Sequence, residues 1–340
     1  MAKVIDCQFH WHPPSFFRHH QGRPGYPRAR PQDGGYLYEV SQHEAWKFTR
    51  EFVDLEFELE EMSAAGVDAV VCSPAIGGDI TDRELSEGVE LAALLNSETA
   101  DAQQRHSGRL YGLAVLPMQE TQAAVKALDE AASLGLRGIC MFSNINGRSI
   151  AAPEVWPVYE RAQKLNLPIF LHPTRSFREE RVLAYEMERP LGYMFDSSFA
   201  AASLIVGGVL DAFPGLKFVL PHLGGTLPYL AGRLETYRQD LLWGHMNKAF
   251  DFYLRGFYYD TVSATPGALA LALQVGDPQR LLFATDYPYF SARQGLEFVR
   301  NNLPESLLEG VCHVHAEKLL GLEQESSASE LPLGGLTGSS

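Results

Sequence analysis

The chain predicts an α/β fold, a closed (β/α)₈ barrel of the TIM type. Short apolar runs recur eight times between segments of helical periodicity. The runs are apolar without alternation, the pattern of strands buried on both faces of a parallel sheet. Four of the eight are followed within two residues by a histidine or an aspartate, and in such a barrel the carboxyl ends of the strands carry the active site.

The strands are expected over residues 3–9, 68–73, 110–116, 137–142, 168–171, 217–220, 256–260 and 280–285. Helical spacing places Leu55, Leu59 and Met62 on one face of 53–65, and Ala124, Leu128 and Ala131 on one face of 120–134. Segments 153–165, 226–242 and 266–275 fit the same period. Eight strand–helix units match a closed barrel better than an open sheet at this length. Two connections are long, an extended loop at 13–42 after the first strand and 173–199 after the fifth. Long loops on the active-site face usually shape the pocket. Residues 1–322 are expected to form one barrel domain, and 323–340, rich in Ser, Gly and Leu, a disordered tail.

Composition excludes several function classes. Hydrophobic residues make up 46% of 340, enough for a sizeable core. Net charge is −14 and no Lys/Arg block occurs, which argues against nucleic acid or anionic membrane as partner. A small anionic substrate stays compatible, because a local pocket can be positive on an acidic protein. Cys7, Cys72, Cys140 and Cys312 form no CxxC pair, and the first three lie inside apolar runs, as small buried hydrophobes do. With no signal peptide visible and the longest apolar stretch, 199–210, too short for a bilayer, a cytoplasmic location is expected.

The polar residues at the strand ends carry the chemistry. His10 and His12 are two apart on the first strand and so face the same side. His172 follows the fifth run, His222 the sixth and Asp286 the eighth. Singly, each reads as a residue that caps a loop. Together on one barrel face, three histidines and a carboxylate suit a divalent metal, zinc first and manganese also. His222 would stand beside it as acid or base. His19, His20, His43, His106, His245, His313 and His315 read as solvated or capping residues. The glycines of Leu223-Gly224-Gly225 would allow close backbone approach to the site, or simply turn the chain. Fingerprints of dinucleotide sites, phosphate loops, serine-hydrolase elbows and HExxH proteases are absent.

Five segments carry a family resemblance: Asp6-x-x-x-His10-x-His12, residues 112–119 (Gly-Leu-Ala-Val-Leu-Pro-Met-Gln), Phe170-Leu-His172-Pro173, residues 221–228 (Pro-His-Leu-Gly-Gly-Thr-Leu-Pro) with Gly232-Arg233, and Thr285-Asp-Tyr-Pro288. Spread from Ile5 to Leu322, they resemble the amidohydrolase superfamily, and within it the branch of aminocarboxymuconate semialdehyde decarboxylase and related aromatic-acid decarboxylases. The resemblance implies a barrel of the metal-dependent hydrolase type. It implies a metal held at His10, His12, His172 and Asp286, with His222 as the catalytic acid/base. It also implies homodimers whose subunits complete each other's pockets. Tyr289 stands where the family has a phenylalanine reaching the partner's pocket.

The chain departs from the family in its arginines. One of the two that hold the family's substrate carboxylate falls near Tyr38, which is no arginine. For the second, the near candidates Arg233 and Arg238 are out of register. Val314-His315-Ala316 replaces the family's terminal Gly-Asn-Ala. Arg189 and Arg175, after the fifth strand, are alternative anchors for an acidic substrate. Aromatics at 11–38 fit either a flat substrate or packing of the loop.

The expected activity is a metal-dependent, non-oxidative decarboxylation of a small aromatic or enol-type carboxylic acid, with the proton supplied by Asp286, His222 or water activated by His222. A hydrolase or hydratase acting on a lactone, amide or unsaturated acid could use the same site. A barrel that keeps its metal only as a binding subunit is the reading from outside enzymology.

Overall fold

The computed structural model describes residues 3–74, 78–175, 182, 185–238, 243, 246 and 248–322. The expected tail at 323–340, His245 and the end of the helix expected over 226–242 lie outside the described residues. Eight parallel strands form the barrel: β1 (Ile5–Phe9), β2 (Ala69–Cys72), β3 (Leu110–Ala114), β4 (Gly138–Phe142), β5 (Ile169–His172), β6 (Phe218–Leu220), β7 (Tyr258–Asp260) and β8 (Leu281–Leu282). Each lies within a run picked out by its apolar pattern or extends one residue past it. Neighbours in the sheet follow chain order.

The barrel closes between β1 and the chain that leaves β8. Cys7 N–H donates to the Phe283 carbonyl at 2.9 Å, Asp286 N–H to Gln8 at 2.8 Å and His10 N–H to Tyr287 at 2.9 Å. The Asp6 carboxylate adds to this seam, accepting from the Thr285 backbone N–H at 3.0 Å and from its hydroxyl. Residues 283–286 are buried but do not extend the regular strand, because side-chain bonds and a left-handed Asp286 (φ 62°) replace part of the ladder. β8 is therefore shorter than the expected 280–285.

Helices cover the outside at the expected places, including Leu55–Ala65, Thr121–Ser133, Trp156–Lys164 and Pro266–Val275. The longest helix, Leu85–Arg105, escaped the periodicity. Its buried face mixes Leu91, Ala92 and Leu95 with Gly88, Asn96 and Thr99, so the apolar stripe is diluted. Asn96 belongs inside because its amide exchanges two hydrogen bonds with the Val115 backbone, at 2.9 and 2.8 Å. Among the described residues no helix is long and apolar enough to cross a membrane.

The long connection after β1 is not irregular. A helix, Pro14–His19, leads into a three-stranded antiparallel sheet of Arg28–Gln32, Gly35–Ser41 and Glu44–Phe48. Asp33-Gly34 forms its first hairpin, with Gly34 at φ 71°, a turn signal present in the sequence. His20, expected to be solvated or capping, is fully buried there and bonds the Phe16 carbonyl through Nδ1 at 2.8 Å.

Glu58 is a liability in the helix layer. Its carboxyl is fully buried, and neither oxygen has a hydrogen-bond partner among the described residues. Burial, reinforced by Asp54 and Glu51, pushes its pKa well up. The folded state therefore keeps a proton that the unfolded chain releases, and stability falls as pH rises above the ordinary carboxylate range. Glu58→Gln removes that dependence. Its urea midpoint should gain on the wild type at pH 8 relative to pH 5; a constant offset between the two pH values would show that Glu58 ionises freely.

Candidate active site

Every strand-end residue singled out in the sequence faces one end of the barrel. His10 and His12 leave β1, and His172 is the last residue of β5. His222 follows β6, and its backbone N–H donates to Asp260 at the end of β7 at 2.7 Å. The backbone is left-handed at His222 (φ 55°), Leu223 (φ 55°) and Asp286 (φ 62°), where non-glycine residues are uncommon. Strain of this kind persists where surrounding structure enforces it. Behind His222, Gly224 and Gly225 also have positive φ, and a Cβ on Gly225 would lie 2.3 Å from the Met194 carbonyl. Close approach is what these glycines allow.

His10, His172 and Asp286 bring one ligand atom each to within 4.8 Å of one another. His10 Nε2 lies 2.7 Å from Asp286 Oδ1. Its Nδ1 faces the Ser73 carbonyl at 3.1 Å, which can only accept, so Nδ1 carries the proton. Nε2 is then the nitrogen aimed at Asp286 Oδ1, where a proton or a metal ion can bridge the two. His172 repeats the logic, with Nδ1 on the Pro173 carbonyl at 2.8 Å and Nε2 left as ligand. Burial, then the neighbouring His10, lowers the His172 pKa to about 3. Together these residues make a divalent-metal site.

His12 stands apart from that trio by distance. It is fully buried, packed on Phe48 and Phe52, and neither ring nitrogen has a hydrogen-bond partner among the described residues. Burial, then His10 and His172, holds its pKa well down, so it stays neutral and one of its ring nitrogens offers a lone pair. His222 Nε2 faces Asp286 Oδ2 at 3.8 Å. Burial works against a charge on His222, but hydrogen bonding to Asp286 and its charge outweigh burial and raise the pKa. Asp286 itself is held well below the usual range: burial opposes ionisation, while His10 and His222 more than offset it.

A cavity of about 400 Å³ opens over these groups. Tyr38, Val40, Trp46 and Phe48 of the antiparallel sheet form one wall, and Arg175 and Arg189 line another part. Arg175 is committed elsewhere: it binds Glu44 and lies 3.8 Å from Glu188. Arg189 stacks on Trp46, its guanidinium carbon 4.0 Å from the ring centroid. Tyr289 packs against His10 and Phe52 of its own chain and lines its own cavity; the neighbouring Phe290 is the more exposed. Arg233 and Arg238 do not line the cavity, and each contacts its own helix, at Tyr237 and Glu235.

Three supporting residues went unread in the sequence. Gln8 donates to Asp286 Oδ1 at 3.3 Å, Ser73 orients His10, and Asp260 anchors His222. Asp260 carried the strand-end signal, as the last residue of the expected strand 256–260, and Gln8 alternates with His10 along β1.

The amidohydrolase model matches residues 5–322, nearly the whole described chain. The chain belongs to the amidohydrolase family. Within that family it is 29% identical over 297 residues to 2-amino-3-carboxymuconate-6-semialdehyde decarboxylase of Dictyostelium discoideum, covering 85% of this chain and 78% of that one. Among solved structures, the apo IDCase of Metarhizium anisopliae superposes with a TM-score of 0.81 at 23% identity, covering 94% and 97% of the two chains. The dihydroxybenzoic acid decarboxylase of Polaromonas, solved with manganese and the inhibitor 2-nitroresorcinol, gives 0.78 at 20% identity over 95% and 98%.

The trio of lone pairs makes a direct prediction. Asp286→Asn and His172→Ala should each weaken zinc or manganese binding by about tenfold or more, read by metal content after dialysis against a weak chelator. Full retention in both variants would remove them from the ligand set.

Proposed function

We propose that this amidohydrolase is a metal-dependent, non-oxidative decarboxylase of a small aromatic or enol-type carboxylic acid. The observation that carries the reading is the pairing of a buried His/His/Asp metal site with a raised-pKa His222, all opening on one cavity lined by aromatic rings. The names of relatives matched over most of their length support it.

His12 would join His10, His172 and Asp286 as the fourth ligand, which explains why its nitrogens are buried without partners. Zinc suits three imidazoles and a carboxylate best, and manganese is the alternative. When bound, the metal supplies a Lewis acid that can polarise oxygen atoms of the substrate.

The chain's own residues do the rest. The aromatic wall of Trp46, Phe48 and Phe142 excludes water and suits a flat ring. Arg189 and Tyr289 line the cavity where substrate would meet them, whereas Arg175 braces the rim through its glutamates. His222 holds a proton at Nε2 facing the ionised Asp286, and Asp260 fixes its backbone. That protonated imidazole is the group placed to deliver a proton to the ring carbon as carbon dioxide leaves. Asp286, its pKa held down by His10 and His222 against burial, sustains the charge on His222.

We further infer a homodimer and a reducing, cytoplasmic setting. Met187, Leu191, Phe195 and Phe199 recur at every fourth position and are all exposed, an apolar row that a second copy would cover. The four cysteines are buried and unpaired.

The test is carbon dioxide release from a panel of hydroxylated benzoates, enol acids and lactones, with metal-loaded and chelator-stripped protein. Metal-dependent loss of carbon dioxide is expected. A product heavier by one water would replace the decarboxylase with a hydrolase or hydratase. His222→Asn should lower kcat by about 100-fold or more while metal content holds; unchanged turnover would remove His222 as the acid.

A further inference from the structure

Arg189 begins a helical run in which Tyr193 follows four residues later, so the two side chains share a face. Tyr289 reaches the same cavity from the loop after β8. All three side chains line the one cavity. Neither phenol hydroxyl makes a hydrogen bond to a described residue, and no carboxylate lies within ion-pair distance of Arg189 among them. Arg175 nearby is neutralised by Glu44 and Glu188. Stacking on Trp46 fixes the Arg189 guanidinium without using its N–H donors.

We propose that Arg189, Tyr193 and Tyr289 form a subsite for a second carboxylate, one the substrate keeps through the reaction. This rests on the decarboxylase reading for its logic. In that reaction the bond between the ring carbon and the carboxyl carbon breaks, its electron pair stays on the ring carbon, and a proton takes the vacated position. The acid R–CO₂⁻ plus H⁺ gives R–H plus CO₂. The departing group thus loses its negative charge. A guanidinium gripping it would stabilise the reactant more than the transition state and slow the step. A carboxylate that remains charged is held equally in both states, so the same guanidinium tightens binding at no cost to the chemistry.

The subsite also lies close to the metal site. Tyr289 packs edge-on against His10 with ring centroids 5.8 Å apart. In the proposed pose a single benzene ring presents one carboxylate and its neighbouring oxygen toward the metal site and another carboxylate toward Arg189, which lines the same cavity. The preferred substrate is an aromatic or enol diacid, and a monoacid leaves the guanidinium and two hydroxyls without an acceptor.

The experiment is calorimetric binding of 4-hydroxyisophthalate and 2-hydroxybenzoate to the metal-loaded protein, with turnover followed in parallel. The diacid should bind more tightly by about tenfold or more. Arg189→Met should erase the preference by weakening the diacid toward the monoacid, Arg189→Lys should restore part of it, and Tyr193→Phe should lower it by a smaller factor. Where the diacid turns over, the loss should fall on KM rather than kcat. Equal binding of the two acids by the wild type overturns the proposal, as does an Arg189→Met variant that weakens both in equal measure. A preference that holds while neither acid loses carbon dioxide keeps the subsite and overturns the decarboxylase reading instead.

Discussion

Closure of the barrel between β1 and the chain after β8 is the constraint on which the site depends. His10 and Asp286 are 276 residues apart in sequence and 2.7 Å apart in space. That contact exists because three backbone hydrogen bonds and the Asp6–Thr285 pair lock the two segments side by side. Asp6 sits fully buried at the seam, and burial lifts its pKa to about 7 against the hydrogen bonds from Thr285 and Gln8. The closing contact and the ligand pair are thus parts of one polar cluster at the barrel's end.

From this cluster the site is built outward by tautomer and charge. Backbone carbonyls at Ser73 and Pro173 take the Nδ1 protons of His10 and His172, which leaves Nε2 of each facing inward. Fixing the tautomer through the far nitrogen is how imidazole ligands are usually oriented. On the other side of Asp286, His222 is held by Asp260, whose own pKa burial lifts to about 6. The two oxygens of Asp286 therefore face different partners, Oδ1 the metal-site histidine and Oδ2 the acid.

Above the cluster, the antiparallel sheet inserted after β1 does for shape what the barrel does for chemistry. Its Trp46 meets two guanidiniums from the far side of the mouth, Arg175 and Arg189. Glu44 of the same sheet captures Arg175, so of this pair Arg189 is left facing the cavity without a carboxylate partner among the described residues. One short strand thereby covers the site and sorts which cation is available to a ligand.

The sequence by itself determined the eight strands, their parallel order and the residues at their ends. Apolar runs without alternation can be buried only on both faces, and a residue just past a strand must appear at the barrel's mouth. That is why His10, His12, His172, His222 and Asp286 were legible as a set, although each alone reads as a loop cap. Only the tertiary structure decided which of them meet. It drew His10, His172 and Asp286 together, set His12 against Phe48 and Phe52, and placed His222 on the outer oxygen of Asp286. It also turned an apparent loop at 13–42 into an ordered wall and divided two similar arginines into one bound to Glu44 and one stacked on Trp46. Pattern along a chain records which side chains avoid water; it does not record the long-range pairing that fixes distance, tautomer and charge partner.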